Sequence, residues 1–297
     1  MKILISGASG LVGWQLHQSL AGQGHQVFAL RRNTTRTAPF WDIEQKIIEL
    51  GPCKSVDVVI NLAGENIASG RWTTVKKERI LRSRIDSTNL LAECVAQMKH
   101  KPKVFISASA VGIYGDRGDE ELTEQSSTGS GFLAEVGKAW ELATKPAAQA
   151  GIRVVNVRFG IVLSKQGGAL AKMLPPFRLG LGGIMGSGEQ WMSWISIREL
   201  PGIITHILNC EQLSGPVNVT APQPVTNREF STTLAKLLCR PAFLPAPRMP
   251  LEILFGEMAK ELLLASAKVK PVKLLESGYV FQEPELDAAL CKLLCTP

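Results

Sequence analysis

The stretch Lys2-Ile3-Leu4-Ile5-Ser6-Gly7-Ala8-Ser9-Gly10-Leu11-Val12-Gly13 decides the fold. Its first half is a short apolar run, as expected for a strand covered on both faces. Its second half sets glycines at 7, 10 and 13, where the strand gives way to a helix. Glycine leaves no Cβ between the backbone N–H groups and a phosphate, and a helix N-terminus adds the positive end of its dipole. A glycine triplet alone equally describes a plain tight turn. The position of this one, between strand and helix, supplies the context that dinucleotide binding requires.

Outward from this turn, strand-like and helix-like segments alternate. Short apolar runs at Gln26–Leu30, Val56–Leu62, Val104–Ala108 and Arg153–Arg158 are separated by helical stretches at Leu11–Ala21, Trp72–Met98 and Phe132–Ala150. A further strand, Gly215–Thr220, follows a helix at Ile197–Asn209. Strand and helix in alternation predict an α/β fold, a doubly wound parallel sheet of Rossmann type. From about Gly167 the texture changes. Gly and Pro crowd Gly167–Gly188, and prolines 241, 245, 247 and 250 precede helical segments at Leu251–Ala267 and Pro284–Leu294. We read residues 1–165 as the cofactor-binding domain, with strand 215–220 returning to it. Residues 166–297 form a smaller α-rich lobe that includes a C-terminal segment at about 248–295.

Cofactor choice is written where the second strand ends. An acid there would hold the free 2′-hydroxyl of NAD, whereas arginine accommodates a 2′-phosphate. The chain reads Ala29-Leu30-Arg31-Arg32-Asn33, with no acid. Two guanidiniums can pair bidentately with a phosphate that a carboxylate would repel, so NADP(H) is the expected cofactor. The plain alternative is a pair of solvated arginines.

Composition narrows the class further. The chain has 297 residues, 45% hydrophobic and 20% charged, which excludes a disordered polymer. No apolar run reaches the length of a membrane span, and no export signal is apparent, so a cytoplasmic protein without a membrane partner is expected. The six cysteines form no CxxC pair, and Cys291 and Cys295 have no histidine nearby, so reduced thiols are expected and no metal site. The net charge of +7 includes a run at Lys76-Lys77-Glu78-Arg79. No nucleic-acid module accompanies it, so a solvated helix face is the better reading. A homodimer is left open.

The Gly7–Gly13 turn, Asp57-Val58-Val59-Ile60-Asn61-Leu62-Ala63-Gly64, Ser107-Ala108-Ser109-Ala110-Val111-Gly112-Ile113-Tyr114-Gly115 and Arg158-Phe159-Gly160 together resemble the extended short-chain dehydrogenase/reductases. More narrowly, Asn61–Ile67, Ser83-Arg84, Met173–Ile195, Asn227-Arg228-Glu229-Phe230 and Arg240-Pro241-Ala242 resemble an atypical "epimerase family" branch with its own small C-terminal domain. The resemblance spans nearly the whole chain. It implies cofactor contacts from Gly7, Ser9, Gly10, Leu11, Val12, Gly13, Arg31, Arg32, Leu62, Ala63, Gly64 and the loop Phe159-Gly160-Ile161. Arg84 stands where typical members place an asparagine that touches the cofactor, and is expected at the ribose or pyrophosphate.

Typical members place Tyr-x-x-x-Lys on the helix after the strand that ends here at Ala108. The tyrosine exchanges a proton with substrate while hydride moves to or from the nicotinamide, and a serine holds the substrate oxygen. Ser109 matches that serine and Lys138 lies where the lysine belongs, but Ala134 occupies the tyrosine position. The chain has two tyrosines, Tyr114 and Tyr279. Tyr114, which usually has a structural or substrate-lining role in the superfamily, is the candidate replacement. Asp116, Glu135 and Glu141 lie in the right region but read as ordinary solvated acids. Glu65, Arg178, Gln190, Trp191 and Trp194 are expected to line the substrate site. Two functions follow: an NADP(H)-dependent oxidoreductase or epimerase-like protein acting on an unknown small, sugar-like or carbonyl-bearing molecule, or a non-catalytic NADP(H)-binding sensor or scaffold.

Overall fold

Along the first strand the apolar side chains point alternately into two cores. Ile3 and Ile5 enter one and Leu4 the other, and all three are wholly buried. Val58, Val59 and Ile60 repeat the pattern, as do Val104, Phe105 and Ile106. A strand that must fill a core on each face reads as a continuous apolar run, which is why these segments are legible in the sequence. A computed structural model describes residues 1–32, 37–242, 244 and 246–295. Asn33 and Pro245, used in the reading above, lie outside the described residues, as do the last two residues of the C-terminal lobe.

The elements run in the order β1 (Lys2–Ser6), α1 (Leu11–Gly22), β2 (Gln26–Arg32), β3 (Phe40–Asp42), β4 (Ile47–Glu49), β5 (Val58–Asn61), α2 (Thr74–Ala96), β6 (Val104–Ala110), β7 (Glu121–Leu122), α3 (Phe132–Leu142), α4 (Lys145–Gln149) and β8 (Arg153–Phe159). There follow β9 (Ile161–Leu163), α5 (Gly168–Arg178), β10 (Trp191–Met192), β11 (Trp194–Ser196), α6 (Leu200–Asn209), β12 (Gly215–Val219), β13 (Val225–Thr226), α7 (Asn227–Leu237), α8 (Arg248–Phe255), β14 (Lys268–Val269), α9 (Val272–Glu276) and α10 (Leu286–Cys295). Eight strands form one sheet in the order β12-β8-β6-β5-β1-β2-β3-β4. Every neighbouring pair in it is parallel except β3 and β4. The doubly wound α/β sheet is therefore present, with β12 paired to β8 at its edge.

The order reverses between β1 and β5, so the first turn lies at the topological switch point, where such sheets bind their ligands. One core holds Leu16 and Leu20 of α1 together with Leu170 of α5, Ile203 of α6, Leu234 of α7 and Leu290 of α10. The C-terminal helices thus continue the core of the sheet. The other core sits under α2 and α4, around Leu91, Val95, Phe105 and Ala147.

Several boundaries differ from the sequence reading. The stretch Phe132–Ala150 is two helices, the second starting at Lys145 with Pro146 in its first turn, where proline is tolerated. The stretch Leu251–Ala267 is α8 followed by one π-helical turn, Ala259–Leu263. The Gly- and Pro-rich region contains α5, whose Pro175 and Pro176 sit in its last turns. Helix α7 was not anticipated, although Thr226 and Glu229 form a capping box at its start.

Helix α3 begins at Gly131, which has φ +99° and no side chain to cap the first N–H groups. The cap comes from the C-terminal segment: Phe132 N and Leu133 N each donate to the Glu261 carboxylate at 2.8 Å. A Cβ at Gly131 would lie 2.8 Å from that carboxylate. Glu261→Ala is therefore expected to cost about 1 kcal/mol. In chemical denaturation this should lower the midpoint while leaving the slope unchanged.

Candidate functional site

The turn after β1 is shaped by contacts that no side chain survives. Gly7 has φ +71°, and a Cβ there would lie 2.8 Å from the carbonyl carbon and oxygen of Leu62. A Cβ at Gly13 would lie 2.2 Å from Gly7 O, because α1 starts directly against the turn. Gly10 N donates to Gly7 O at 3.0 Å, and Gly10 begins α1 with no side-chain cap and no acid in the first turn. Ser9 and Gly10 are exposed. This is a cradle for an anion at a helix N-terminus. Leu11 lies against Gly167 and Gly168, where an added Cβ would meet its methyl groups at 3.4 and 3.5 Å.

Arg31 and Arg32 are the last residues of β2, the strand beside β1, and both are exposed. No described residue pairs with either guanidinium. At the end of β5, Leu62 N donates to Ser6 O at 3.2 Å. Arg84 lies close to Gly64, where an added Cβ would come within 3.3 Å of its guanidinium carbon. That carbon also lies 4.8 Å from the Trp140 ring centroid, a cation–π contact. Arg84 Nη1 donates to the carbonyls of Glu65 and Ile80, each at 3.1 Å. Burial pulls the Arg84 pKa down to about 10 against the attraction of Glu65, which still leaves it cationic at neutral pH. The Glu65 carboxylate accepts from Lys76 Nζ at 2.6 Å, and Lys76 also reaches Ser69 Oγ at 2.7 Å. The hydrogen bond from Lys76 holds the Glu65 carboxyl below its ordinary range, although burial opposes it.

Phe159, Gly160 and Ile161 stand at the same edge. Gly160 is wedged where β8, β11 and β12 converge: an added Cβ would lie 2.6 Å from Ser193 O and 3.0 Å from Thr220 Cγ2. The Ile161 amide donates to Ser193 O at 2.8 Å.

Ser109 does not stand free. Its Oγ donates to Glu141 Oε1 at 2.7 Å. Arg158 grips the same carboxylate twice, through Nε at 2.8 Å and Nη2 at 2.9 Å, and its Nη1 donates to Tyr114 Oη at 2.8 Å. Burial works against the Arg158 charge, but Glu141 and Tyr114 together hold its pKa above the ordinary value. Two expectations need correction here. Tyr114 is wholly enclosed and its hydroxyl also bonds Thr123 O and Asn218 Oδ1, so it does not face a substrate. Burial raises its pKa despite Arg158 and Asn218, the opposite of what an acid–base tyrosine needs. Glu141, read as solvated, instead anchors this network. Lys138 Nζ donates to Gly129 O at 3.0 Å, and Ala134 is buried.

The residues expected to line a substrate divide. Trp194 is a correction: it is wholly buried, with Nε1 donating to Gln223 O at 3.0 Å, so it belongs to the core. Gln190 is buried and bonded to Met185 O at 2.9 Å. Trp191 is half-buried, with Nε1 on Asp119 at 2.8 Å and Lys268 Nζ above its ring. Arg178 is exposed at the end of α5, apart from the Ser109 network. A groove of about 430 Å³ lies at the opposite edge of the sheet, among Lys2, Gln26, Asp57, His100 and Lys101, and so is remote from these groups. Among the described residues no cluster of three or more His, Cys, Asp or Glu could hold a metal ion. Lys76, Glu141, Asn218 and Glu261 were missed as site-forming residues. Glu141, Asn218 and Glu261 carry no local signal because their partners lie far along the chain, whereas Lys76 reaches back only to Glu65 and Ser69 and reads in the sequence as one more cation of a charged run.

Two predictions follow from these contacts. Arg158→Met should cost about 3–5 kcal/mol in denaturant unfolding, because it strands a carboxylate that is 15% exposed. Adding Glu141→Leu should recover most of that loss. For Glu65, a carboxyl held below the ordinary carboxylate range contributes stability above that range and loses it as the pH falls through the lowered value. Thermal melts of Glu65→Gln and the wild type should differ at neutral pH, by less than about 1 kcal/mol because the carboxylate is partly exposed. The two melts should converge in acid.

The profile of the NAD dependent epimerase/dehydratase family matches residues 3–219, and that of a domain of unknown function (DUF1731) matches residues 246–293. The chain is 39% identical over 290 residues to epimerase family protein MT2273 of Mycobacterium tuberculosis, covering 97% of this chain and 96% of that protein. It is 37% identical over 297 residues to human epimerase family protein SDR39U1, covering 99% and 100%. The crystal structure of human SDR39U1 (isoform 2) with NADPH superposes with TM-score 0.91 at 36% identity, covering 99% of each chain. A nucleoside-diphosphate sugar epimerase from Corynebacterium glutamicum superposes with TM-score 0.81 at 37% identity, covering 99% of this chain and 58% of that one. With its glycine turn at the switch point of a doubly wound sheet and its own C-terminal domain, the chain belongs to the epimerase family of extended short-chain dehydrogenase/reductases.

Proposed function

We propose that the chain binds NADP(H) and acts as an oxidoreductase or epimerase-like enzyme on a small hydroxyl- or carbonyl-bearing molecule. The observation that carries this reading is the pairing of the Gly7–Gly13 cradle with Arg31 and Arg32 at the end of the adjacent strand. The crystallisation of the human relative with NADPH supports it. In this reading the backbone from Gly7 to Gly13, with Ser9 and Gly10 exposed at the start of α1, holds the pyrophosphate. Arg31 and Arg32 hold the 2′-phosphate. Leu62, Ala63, Gly64 and Phe159–Ile161 flank the cofactor, and Arg84 presents its cation to the ribose or pyrophosphate.

When bound, the nicotinamide supplies hydride transfer. Ser109 orients the substrate oxygen and Lys138 stands on the same helix as Ala134, while Glu65 and Trp191 border the substrate. Residues 1–165 with β12 form the cofactor half and 166–297 the substrate half. A second reading, a non-catalytic NADP(H) sensor or scaffold, is favoured by the engagement of Ser109 with Glu141 and by Ala134 in place of the tyrosine.

Calorimetry tests the cofactor assignment. Replacing both Arg31 and Arg32 by alanine should weaken NADPH about 100-fold, the scale of two charge-assisted hydrogen bonds, and leave NADH nearly unchanged. Equal losses for both nucleotides would remove the 2′-phosphate site. Oxidation of NADPH across a panel of aldehydes, ketones and nucleotide sugars separates the two readings. Turnover that falls in Ser109→Ala supports the enzyme. No turnover, with nucleotide binding and stability unchanged in Ser109→Ala, supports the sensor.

A further inference from the structure

Helix α8, Arg248–Phe255, has five apolar residues among its eight apart from proline, and none of its residues is buried. Met249, Ile253 and Leu254 are 72%, 69% and 60% exposed. The chain leading into it runs beside the segment that follows α5. Arg240 Nε donates to Arg178 O at 2.9 Å, Ala246 N to Ile184 O at 2.8 Å and Gly186 N to Ala246 O at 2.9 Å. Leu179, Leu181 and Leu244 are exposed along these paired segments. Large aliphatic side chains left in water over one stretch of surface mark a contact site.

The surrounding charge selects the occupant. Arg178, Arg240 and Arg248 are exposed around the aliphatic residues. Arg248 pairs with Glu252 at 2.6 Å, whereas Arg178 and Arg240 have no carboxylate partner among the described residues. A second copy meeting this face across a two-fold axis would bring the same arginines towards one another. An anionic bilayer accepts both features: aliphatic side chains enter the headgroup boundary while guanidiniums meet the lipid phosphates. We infer that this face docks on an anionic lipid surface. No described helix is long and apolar enough to cross a membrane. Surface docking needs no span, so it departs from the sequence expectation only in giving the protein a peripheral lipid contact. It is independent of the cofactor reading. It also sets the ligand edge beside the bilayer, because Arg71 on the loop after β5 donates to Ile253 O at 3.3 Å and Lys77 pairs with Glu257 at 2.8 Å.

Co-sedimentation of the full chain with vesicles tests the inference. The vesicles would be phosphatidylcholine alone or phosphatidylcholine with about 30% phosphatidylglycerol, the anionic component. Partition into the anionic vesicles should be at least about tenfold stronger and should fall at high salt. The double variant Leu179→Asp/Ile253→Asp should lose about tenfold or more of that binding with an unchanged thermal melt, since both positions are exposed. Arg178→Glu/Arg240→Glu should abolish the preference for anionic lipid. Equal binding to both vesicle types, or wild-type binding by the aspartate variant, would overturn the inference. So would a dimer seen by light scattering that the aspartate variant dissociates, which would assign the face to a second copy.

Discussion

Everything at the ligand edge depends on how closely backbone meets backbone at the first turn. Helix α1 can start where it does only because Gly13 leaves room for Gly7 O, and β5 can end beside it only because Gly7 leaves room for the Leu62 carbonyl. A methyl group at either position would push apart two elements that the sheet register holds together through Ser6 opposite Leu30 and Asn61. The same closeness opens the cradle: with no Cβ in the way and no capping side chain, the first N–H groups of α1 face outward. Packing and anion binding are here one constraint.

The sheet was legible because each of its central strands is buried on two faces, and such strands announce themselves as unbroken apolar runs. The short strands β3 and β4, which extend the sheet beyond β2, were missed because three-residue strands with half-exposed faces carry no such run. The places of the glycine turn, between β1 and α1, and of the arginine pair, at the end of β2, were legible because each depends on a short local run of sequence. Glu141 was not, because its partners Ser109 and Arg158 lie 32 and 17 residues away, and a glutamate on an amphipathic helix looks solvated until the sheet beneath it is known. Trp194 failed in the opposite direction. Two tryptophans among polar residues suggest a pocket wall, but Trp194, in β11 beside β9, is wholly buried, whereas Trp191, in β10 beside β13, is half-buried.

Helix α3 carries Ala134 where the resemblance led us to expect a tyrosine, and the same helix carries Glu141, which belongs to a network of carboxylate and guanidinium groups. A phenol in the active site of a typical relative must be poised to lose its proton, which requires a cation and access to the substrate. Here the cation is Arg158. It is committed to Glu141 on one side and supports an enclosed, neutral Tyr114 on the other. That chain of hydrogen bonds runs on through Asn218 to Lys270 O and to Glu124, so it joins β6, α3, β8 and β12 to the C-terminal segment. Removing one member would leave a buried charge or a buried donor without its partner, which makes the network rigid as a unit.

The C-terminal segment reaches the ligand edge by three separate routes. Glu261 caps α3, Ser193 donates to Ala267 O and accepts from Val269 N, and Asn218 donates to Lys270 O. Each route ends at an element of the candidate site: α3 with Ala134, Gly160 against Ser193, and Asn218, whose partner Tyr114 links it through Arg158 to Glu141. A domain that supplies a helix cap and two backbone clamps to the cofactor half cannot shift without moving α3 and the ends of β8 and β12. Ligands bound at the carboxyl ends of the strands would therefore be coupled mechanically to the C-terminal domain, and that coupling gives a physical reason for the two to be joined in one chain.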